Sequence, residues 1–162
     1  MRAFIGLGSN LADPAAQVQT AIADIEKIAA VELLNCSSLY KSPPMGPQDQ
    51  PDYINAVVEI ETDLSAHDLL DHLQMIEQQH GRVRQRHWGE RTLDLDLLIF
   101  GDSRIDDDRL QVPHPGIAQR SFVLYPLAEI APELVIPDLG EIKTLLNQCP
   151  SDDLMRIEKS EI

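Results

Sequence analysis

The run Arg91-Thr92-Leu93-Asp94-Leu95-Asp96-Leu97-Leu98-Ile99-Phe100 restricts the folds open to this chain more than any other stretch. Its apolar density demands burial and its alternation demands a strand, yet it carries two carboxylates. Side chains on a strand alternate between faces, so Asp94 and Asp96 share one face while Leu93, Leu95, Leu97 and Ile99 share the other. Two strand rises set the Asp side chains about 7 Å apart, within reach of one hard cation or a close pair. Left uncompensated at a buried edge they would be costly or take up protons, so metal, Arg or solvent must face them. A strand with one apolar and one solvated face satisfies the same pattern.

The segment leading into this strand, from Gly81 to Arg91, carries four Arg, Trp88 and two Gly, and follows neither the helix nor the strand period. Guanidinium forks on such a loop suit phosphate oxygens, with Trp88 as a cover; a solvated basic loop pairing with surface acids is the plainer alternative. The whole chain has a net charge of -14, from 27 acids against 13 bases, which opposes a general nucleic-acid or membrane-surface binder. Seven of those 13 bases, all Arg, fall between positions 82 and 120. A local anion site on an acidic protein fits that distribution.

At 162 residues and 43% hydrophobic, the chain is long enough for one domain and short for two, so 1–162 reads as a single domain with a polar, loosely held tail over 151–162. No apolar run approaches bilayer length, and Met1-Arg2-Ala3-Phe4 leads directly into a strand pattern. Cys36 and Cys149 give neither a metal-ligand spacing nor a disulfide framework. Cytoplasm is the expected location.

Residues 2–8 read as a buried strand. Asp13-Pro14 reads as an N-cap and first helical residue, followed by an apolar face of Ala16, Val18, Ala21, Ile22, Ile25 and Ile28. Val31 to Tyr40 is a second strand by its β-branched and aromatic content. Lys41 to Asp52 holds five Pro or Gly and reads as a stiff binding loop. Tyr53 to Thr62 alternates as a third strand that puts Tyr53 and Asn55 on one face; a plain surface contact is the simpler reading of that pair. Ser65 opens a second helix in the manner of a capping box, with Leu69, Leu70, Leu73 and Ile76 inward. Strand, helix, strand, strand, helix, strand is the ferredoxin-like βαββαβ order, an α+β sandwich with both helices on one face. Beyond Phe100 the chain adds C-terminal strands and helices: an acidic turn at 106–108, a short segment from Arg109 to Val112, helix from Ile117 to Ile130 despite Pro126, a strand at 134–136 and a helix at 142–148.

Paired carboxylates suit magnesium bound together with phosphates, and phosphoryl transfer asks mainly for positioning and charge neutralisation. No Walker-type loop occurs, and Gly6-Leu7-Gly8-Ser9-Asn10 is too short to be a Rossmann loop.

His87-Trp88-Gly89-Glu90-Arg91-Thr92-Leu93-Asp94-Leu95-Asp96-Leu97-Leu98 resembles the signature of the 6-hydroxymethyl-7,8-dihydropterin pyrophosphokinase family. The likeness extends to Gly8-Ser9-Asn10-Leu11, the block from Ser42 to Asn55, Gly81-Arg82-Val83-Arg84 and Val112-Pro113-His114. It implies a ferredoxin-like fold and transfer of pyrophosphate from ATP to a pterin hydroxymethyl group, with AMP released. It also implies two Mg2+ ions on Asp94 and Asp96, catalytic-loop arginines at Arg82 and Arg91, and closure over the substrates by Arg84 and Trp88. Nucleotide contacts map to Leu70, Gln74, Glu77, Leu97, Arg109, Leu110, His114 and Arg120. Pterin contacts map to Ser42, Pro43, Pro44, Met45, Tyr53, Asn55 and Phe122, with the two aromatic rings stacking and Asn55 on the polar edge. Its implied partners are the small molecules ATP and 6-hydroxymethyl-7,8-dihydropterin, with no nucleic acid, membrane or obligate protein partner. Two positions depart from the pattern: His87 stands where Arg is frequent, and Pro115-Gly116 replaces Tyr-Asp. A non-catalytic nucleotide- or pterin-binding module of the same fold is the alternative, and a metal-dependent phosphohydrolase a third.

Overall fold

The computed structural model describes residues 1–11, 13–43, 51–81, 93–151 and 154–157. In chain order its first elements are β1 (Arg2–Ser9), α1 (Pro14–Glu26), β2 (Val31–Cys36), β3 (Leu39–Ser42), β4 (Tyr53–Thr62), α2 (Ala66–Gln79) and β5 (Asp94–Phe100). They are followed by β6 (Ile105–Asp106), β7 (Gln111–Val112), a turn of 3-10 helix at Ile117–Gln119, α3 (Ser121–Ile130), β8 (Val135–Ile136), β9 (Gly140–Glu141), α4 (Ile142–Gln148) and β10 (Met155–Ile157).

The main sheet runs β10-β3-β4-β1-β5, with β2 also on β4, and every pairing is antiparallel. Taking β2 and β3 as one interrupted strand, this is the split βαβ order expected from the sequence, an α+β fold. Alternation builds its first core: Ala3, Ile5 and Leu7 of β1, and Ile54, Ala56, Val58 and Ile60 of β4, meet Val18, Ala21 and Ile25 of α1 and Leu69, Leu73 and Ile76 of α2. The α2 start is as expected, with the Ser65 side chain accepting the Asp68 N–H at 3.1 Å.

Several expectations change. Helices cover both faces of the sheet, not one: α3 and α4 bring Val123, Leu124, Leu127, Ile142 and Leu145 against Phe4, Val57, Leu98 and Ile99. The continuous apolar run Leu97-Leu98-Ile99-Phe100 requires that second cover, since consecutive strand residues face opposite ways. Ile99 does not share the face of Leu97. The β1–β5 register steps from Phe4↔Ile99 to Ile5↔Leu97, so Leu98 is an inserted bulge residue and Phe100 takes the place expected of Ile99.

Nor is Val31 to Tyr40 one strand. Partners step from Leu33↔Ile60 to Asn35↔Glu59, leaving Leu34 extra, and the strand breaks at Ser37-Ser38, where the Ser37 hydroxyl accepts the Val57 N–H at 2.9 Å. The Asp13 side chain makes no cap; the residue is left-handed at φ 59°, and Ile28 lies past the helix end. The 117–130 helix is interrupted at Arg120. Within the tail, β10 pairs with β3, Arg156 opposite Tyr40. Among the described residues no helix is long and apolar enough to cross a membrane.

Candidate active site

Two glycines on one face of β1 make the floor of the site. The registers place Gly8 between Asn55 of β4 and Asp94 of β5, and Gly6 between Val57 and Asp96. Because Leu93, Leu95 and Leu97 enter the first core, Asp94 and Asp96 stand on the opposite face, as the alternation predicted. Both are half-buried. Asn55 shares that face with Val57, so each row has a polar or apolar side chain on β4, a bare glycine, and a carboxylate on β5. Two interstrand spacings separate Asn55 from Asp94 by about 10 Å. A Cβ on Gly8 would stand 3.3 Å from the Asn55 Oδ1 and 3.8 Å from the Tyr53 ring, and one on Gly6 would meet Leu98 at 3.4 Å. The sequence reading set these glycines aside as too short a motif. The usable signal was their two-residue spacing inside a buried strand, which bares one face.

At one end of the floor, Asn55 (3% exposed) donates its amide to the hydroxyl of Ser42 (5% exposed) at 2.7 Å. That bond fixes the amide plane. Tyr53 is half-buried alongside, and Asn10 donates to the Pro51 carbonyl at 3.0 Å, tying the end of the proline loop to the end of β1. Pro43 is exposed; Pro44 and Met45 lie outside the described residues. Phe122, in the first turn of α3, packs against the second core with the Arg120 guanidinium 5.8 Å from its ring centre.

At the other end, a cavity of about 360 Å3 wraps the edge of β5. Asp96, Leu97 and Leu70 line it together with Arg109, Leu110 and His114 from the chain after β6. The structure thus brings five of the eight residues mapped to nucleotide contacts to one cavity. It adds Leu95, Asp107, Asp108, Gln111 and Pro115, which the resemblance did not map to nucleotide contacts. Asp107 shapes the turn that carries Arg109 and Leu110 by accepting both their N–H groups at 2.9 Å, and it also meets His67 at 2.7 Å.

The remaining three are placed differently. Gln74 accepts from Arg109 at 3.2 Å, Arg109 also pairing with Asp71 at 2.6 Å. Glu77 is 6% exposed and accepts the Leu95 N–H at 2.8 Å. Arg120 packs over Gly116, its Nε 2.7 Å from where a Cβ would be, so the glycine in the Pro115-Gly116 departure makes room for the guanidinium. Arg82, Arg84, Trp88 and Arg91, and the His87 departure, lie outside the described residues.

His114 is held from two sides. Its backbone N–H donates to the Leu98 carbonyl at 2.9 Å and its ring Nδ1 accepts the Gly116 N–H at 3.0 Å. Burial holds the imidazole below the usual histidine range; the Asp96 carboxylate works against that, and the Arg120 guanidinium with it. A neutral ring with Nδ1 as acceptor carries its proton on Nε2, where it can donate.

Two half-buried carboxylates on one strand face are hard oxygen donors suited to magnesium. Among the described residues no cluster of three metal-ligating side chains forms.

A family model described as 7,8-dihydro-6-hydroxymethylpterin-pyrophosphokinase (HPPK) matches residues 4–132. A Haemophilus influenzae protein named 2-amino-4-hydroxy-6-hydroxymethyldihydropteridine pyrophosphokinase is 49% identical over 155 residues, 96% of this chain and 97% of that one. A Pseudomonas aeruginosa protein of the same name is 47% identical over 156 residues, 96% of each. The crystal structure of wild-type Plasmodium falciparum HPPK-DHPS with pteroate covers 91% of this chain with a TM-score of 0.71 at 15% identity, a likeness of fold. This chain spans 42% of that longer one. With most of its length matched by the family model and by relatives near half identity, the chain belongs to the 7,8-dihydro-6-hydroxymethylpterin-pyrophosphokinase family.

Proposed function

We infer that this protein transfers pyrophosphate from ATP to the hydroxymethyl group of 6-hydroxymethyl-7,8-dihydropterin, giving the pterin diphosphate and AMP. The observation that carries this reading is the row Asn55–Gly8–Asp94: a fixed amide for a planar polar ring and a carboxylate for the phosphate end, with no side chain between them. In the reaction the hydroxymethyl oxygen attacks the β-phosphorus, its proton is lost, the bond to the α,β-bridging oxygen breaks, and AMP leaves with that oxygen.

For the pterin we assign Asn55, oriented by Ser42, to the polar edge and Tyr53 and Phe122 to the ring faces, with Pro43, Pro44 and Met45 around them. Leu70, Leu97 and Leu110 supply apolar wall for the nucleotide, Arg109 and Arg120 supply positive charge, and His114 offers a neutral Nε2–H to a phosphate oxygen. Asp94 and Asp96 are the residues that would hold magnesium, two ions in this reading. Bound there, the cation supplies charge neutralisation and Lewis acidity at the phosphates. Arg82 and Arg91 are assigned to the charge of the transferred group, and Arg84 and Trp88 to shielding it from water.

The deciding experiment follows AMP from ATP and magnesium with and without the hydroxymethyl pterin. Pterin-dependent AMP is expected; ATP breakdown indifferent to the pterin, or binding of both ligands without turnover, would overturn the assignment.

A further inference from the structure

Glu77 lies on the inward face of α2, in line with Leu69, Leu70, Leu73 and Ile76, and only 6% of it is exposed. A carboxylate is an expensive choice for a position that packing alone would fill with Leu, because burying the charge must be offset by strong hydrogen bonds. One Glu77 carboxylate oxygen accepts the backbone Leu95 N–H at 2.8 Å. That group needs a partner: among the described residues β5 ends the sheet, and its outward N–H and C=O groups face no strand there. The outward carbonyl of Leu98 is met in the same way by the backbone N–H of His114 at 2.9 Å.

Leu95 is the residue between Asp94 and Asp96. The peptide that donates to Glu77 joins Asp94 to Leu95; its plane bears directly on how the Asp94 side chain leaves the strand, and through Leu95 it sets the path of the backbone into Asp96. We infer that Glu77 is a positioning residue, its buried carboxylate holding the peptide between Asp94 and Asp96 so that the two acids converge. This assigns Glu77 to the backbone under the acids, where the family likeness would put it on the nucleotide. It rests on the reading of Asp94 and Asp96 as cation ligands, and its test separates the two.

The test compares Glu77→Gln, which keeps an acceptor oxygen, with Glu77→Leu, which does not. Amide hydrogen exchange at Leu95 is measured on the whole protein without ligands, and Mg2+ affinity is measured by calorimetry with a non-cleavable ATP analogue. In Glu77→Leu, Leu95 exchange should accelerate and Mg2+ affinity fall at least about tenfold. In Glu77→Gln both should stay within about twofold of wild type, since the hydrogen bond survives. Equal damage from both variants would show that the charge acts elsewhere, and fast Leu95 exchange with unchanged Mg2+ affinity would show that the peptide does not govern the acids; either overturns the inference. If Asp94→Asn also leaves Mg2+ affinity unchanged, the cation reading itself fails, and the inference with it. Should Glu77→Leu not fold, Glu77→Met removes the acceptor with a more adaptable side chain and is held to the same outcomes.

Discussion

Asn55 and Gly8 stand opposite each other on β4 and β1, and a Cβ at position 8 would come within 3.3 Å of the Asn55 Oδ1. That separation is closer than ordinary van der Waals contact, so Gly8→Ala must turn the Asn55 amide or narrow the groove. Gly8 has an ordinary strand backbone, and Ala there is otherwise compatible with β1. Pterin affinity should fall about tenfold, roughly 1.4 kcal/mol, while ATP affinity moves by less than about twofold. Calorimetric titration with each ligand checks this, and an unchanged pterin affinity would remove Asn55 and Gly8 from the pterin site.

His114 should titrate below its unfolded value of 6.5, burial being the larger cause and Arg120 a smaller one. Because the folded pKa is depressed, the unfolded chain takes up this proton first as pH falls. His114 therefore begins to destabilise the fold below about pH 6.5, and its contribution levels off once the pH is under the folded value. Arg120→Gln removes a cation that disfavours the imidazolium, so the titration midpoint should rise yet remain below that of an exposed histidine. Following the His114 Cε1 proton by NMR reads this directly. A midpoint that falls in Arg120→Gln would contradict the proposed electrostatics.

Glu129 joins α3 to the far edge of the sheet. It accepts from Tyr40 Oη at 2.7 Å, Ser38 Oγ at 2.9 Å and the Ser38 N–H at 3.1 Å, with Arg156 of β10 at 3.4 Å. Burial pushes the carboxyl up, but the Tyr40 and Ser38 hydrogen bonds and the Arg156 charge together hold it below its usual value of 4.5. Burial and the bond to Glu129 push the Tyr40 hydroxyl well above its ordinary range. Glu129→Ala strands those donors and should cost about 2–3 kcal/mol in urea unfolding. The depressed folded pKa means this stability is present above about pH 4.5 and is lost as pH falls through the folded value. Glu129→Gln should flatten that acid dependence; an unaltered slope would show that Glu129 is not its source.

What the sequence made legible were features with a period. The alternation in β4 and the inward face of α2 match their cores residue by residue, and the face shared by Asp94 and Asp96 follows from period two alone. Illegible were single-residue insertions: the bulge at Leu98 moves Ile99 to the opposite face without altering composition. The two-sided burial was readable in Leu97-Leu98-Ile99-Phe100, where four apolar residues in succession leave no wet face. β10 was hidden because three residues of mixed polarity form a strand only against a partner more than a hundred positions away. In the site, residue types pointed to chemistry, but the roles of Gly8 and Glu77 depend on which strands are neighbours, and local pattern does not carry that.

Arg109 reaches from the β6–β7 turn to Asp71 on α2 at 2.6 Å, closing a strap beside the cavity at the β5 edge that is proposed to take the nucleotide. Both side chains are about half exposed, so the pair contributes little to stability, and Asp71→Asn should shift unfolding by less than about 0.5 kcal/mol. Its effect on binding is different. Asp71 competes with any anion for the Arg109 guanidinium, so removing its charge frees that positive end for the phosphates. ATP affinity should rise severalfold at low salt, and the gain should shrink as ionic strength approaches about 0.5 M, where screening acts within a few ångströms. Arg109→Ala should lose affinity and abolish the response to Asp71→Asn, because one interaction cannot be removed twice. Nucleotide titrations of the two single variants and the double variant, at low and high salt, check this cycle. Additive effects would mean that Arg109 does not meet the nucleotide through the charge Asp71 holds.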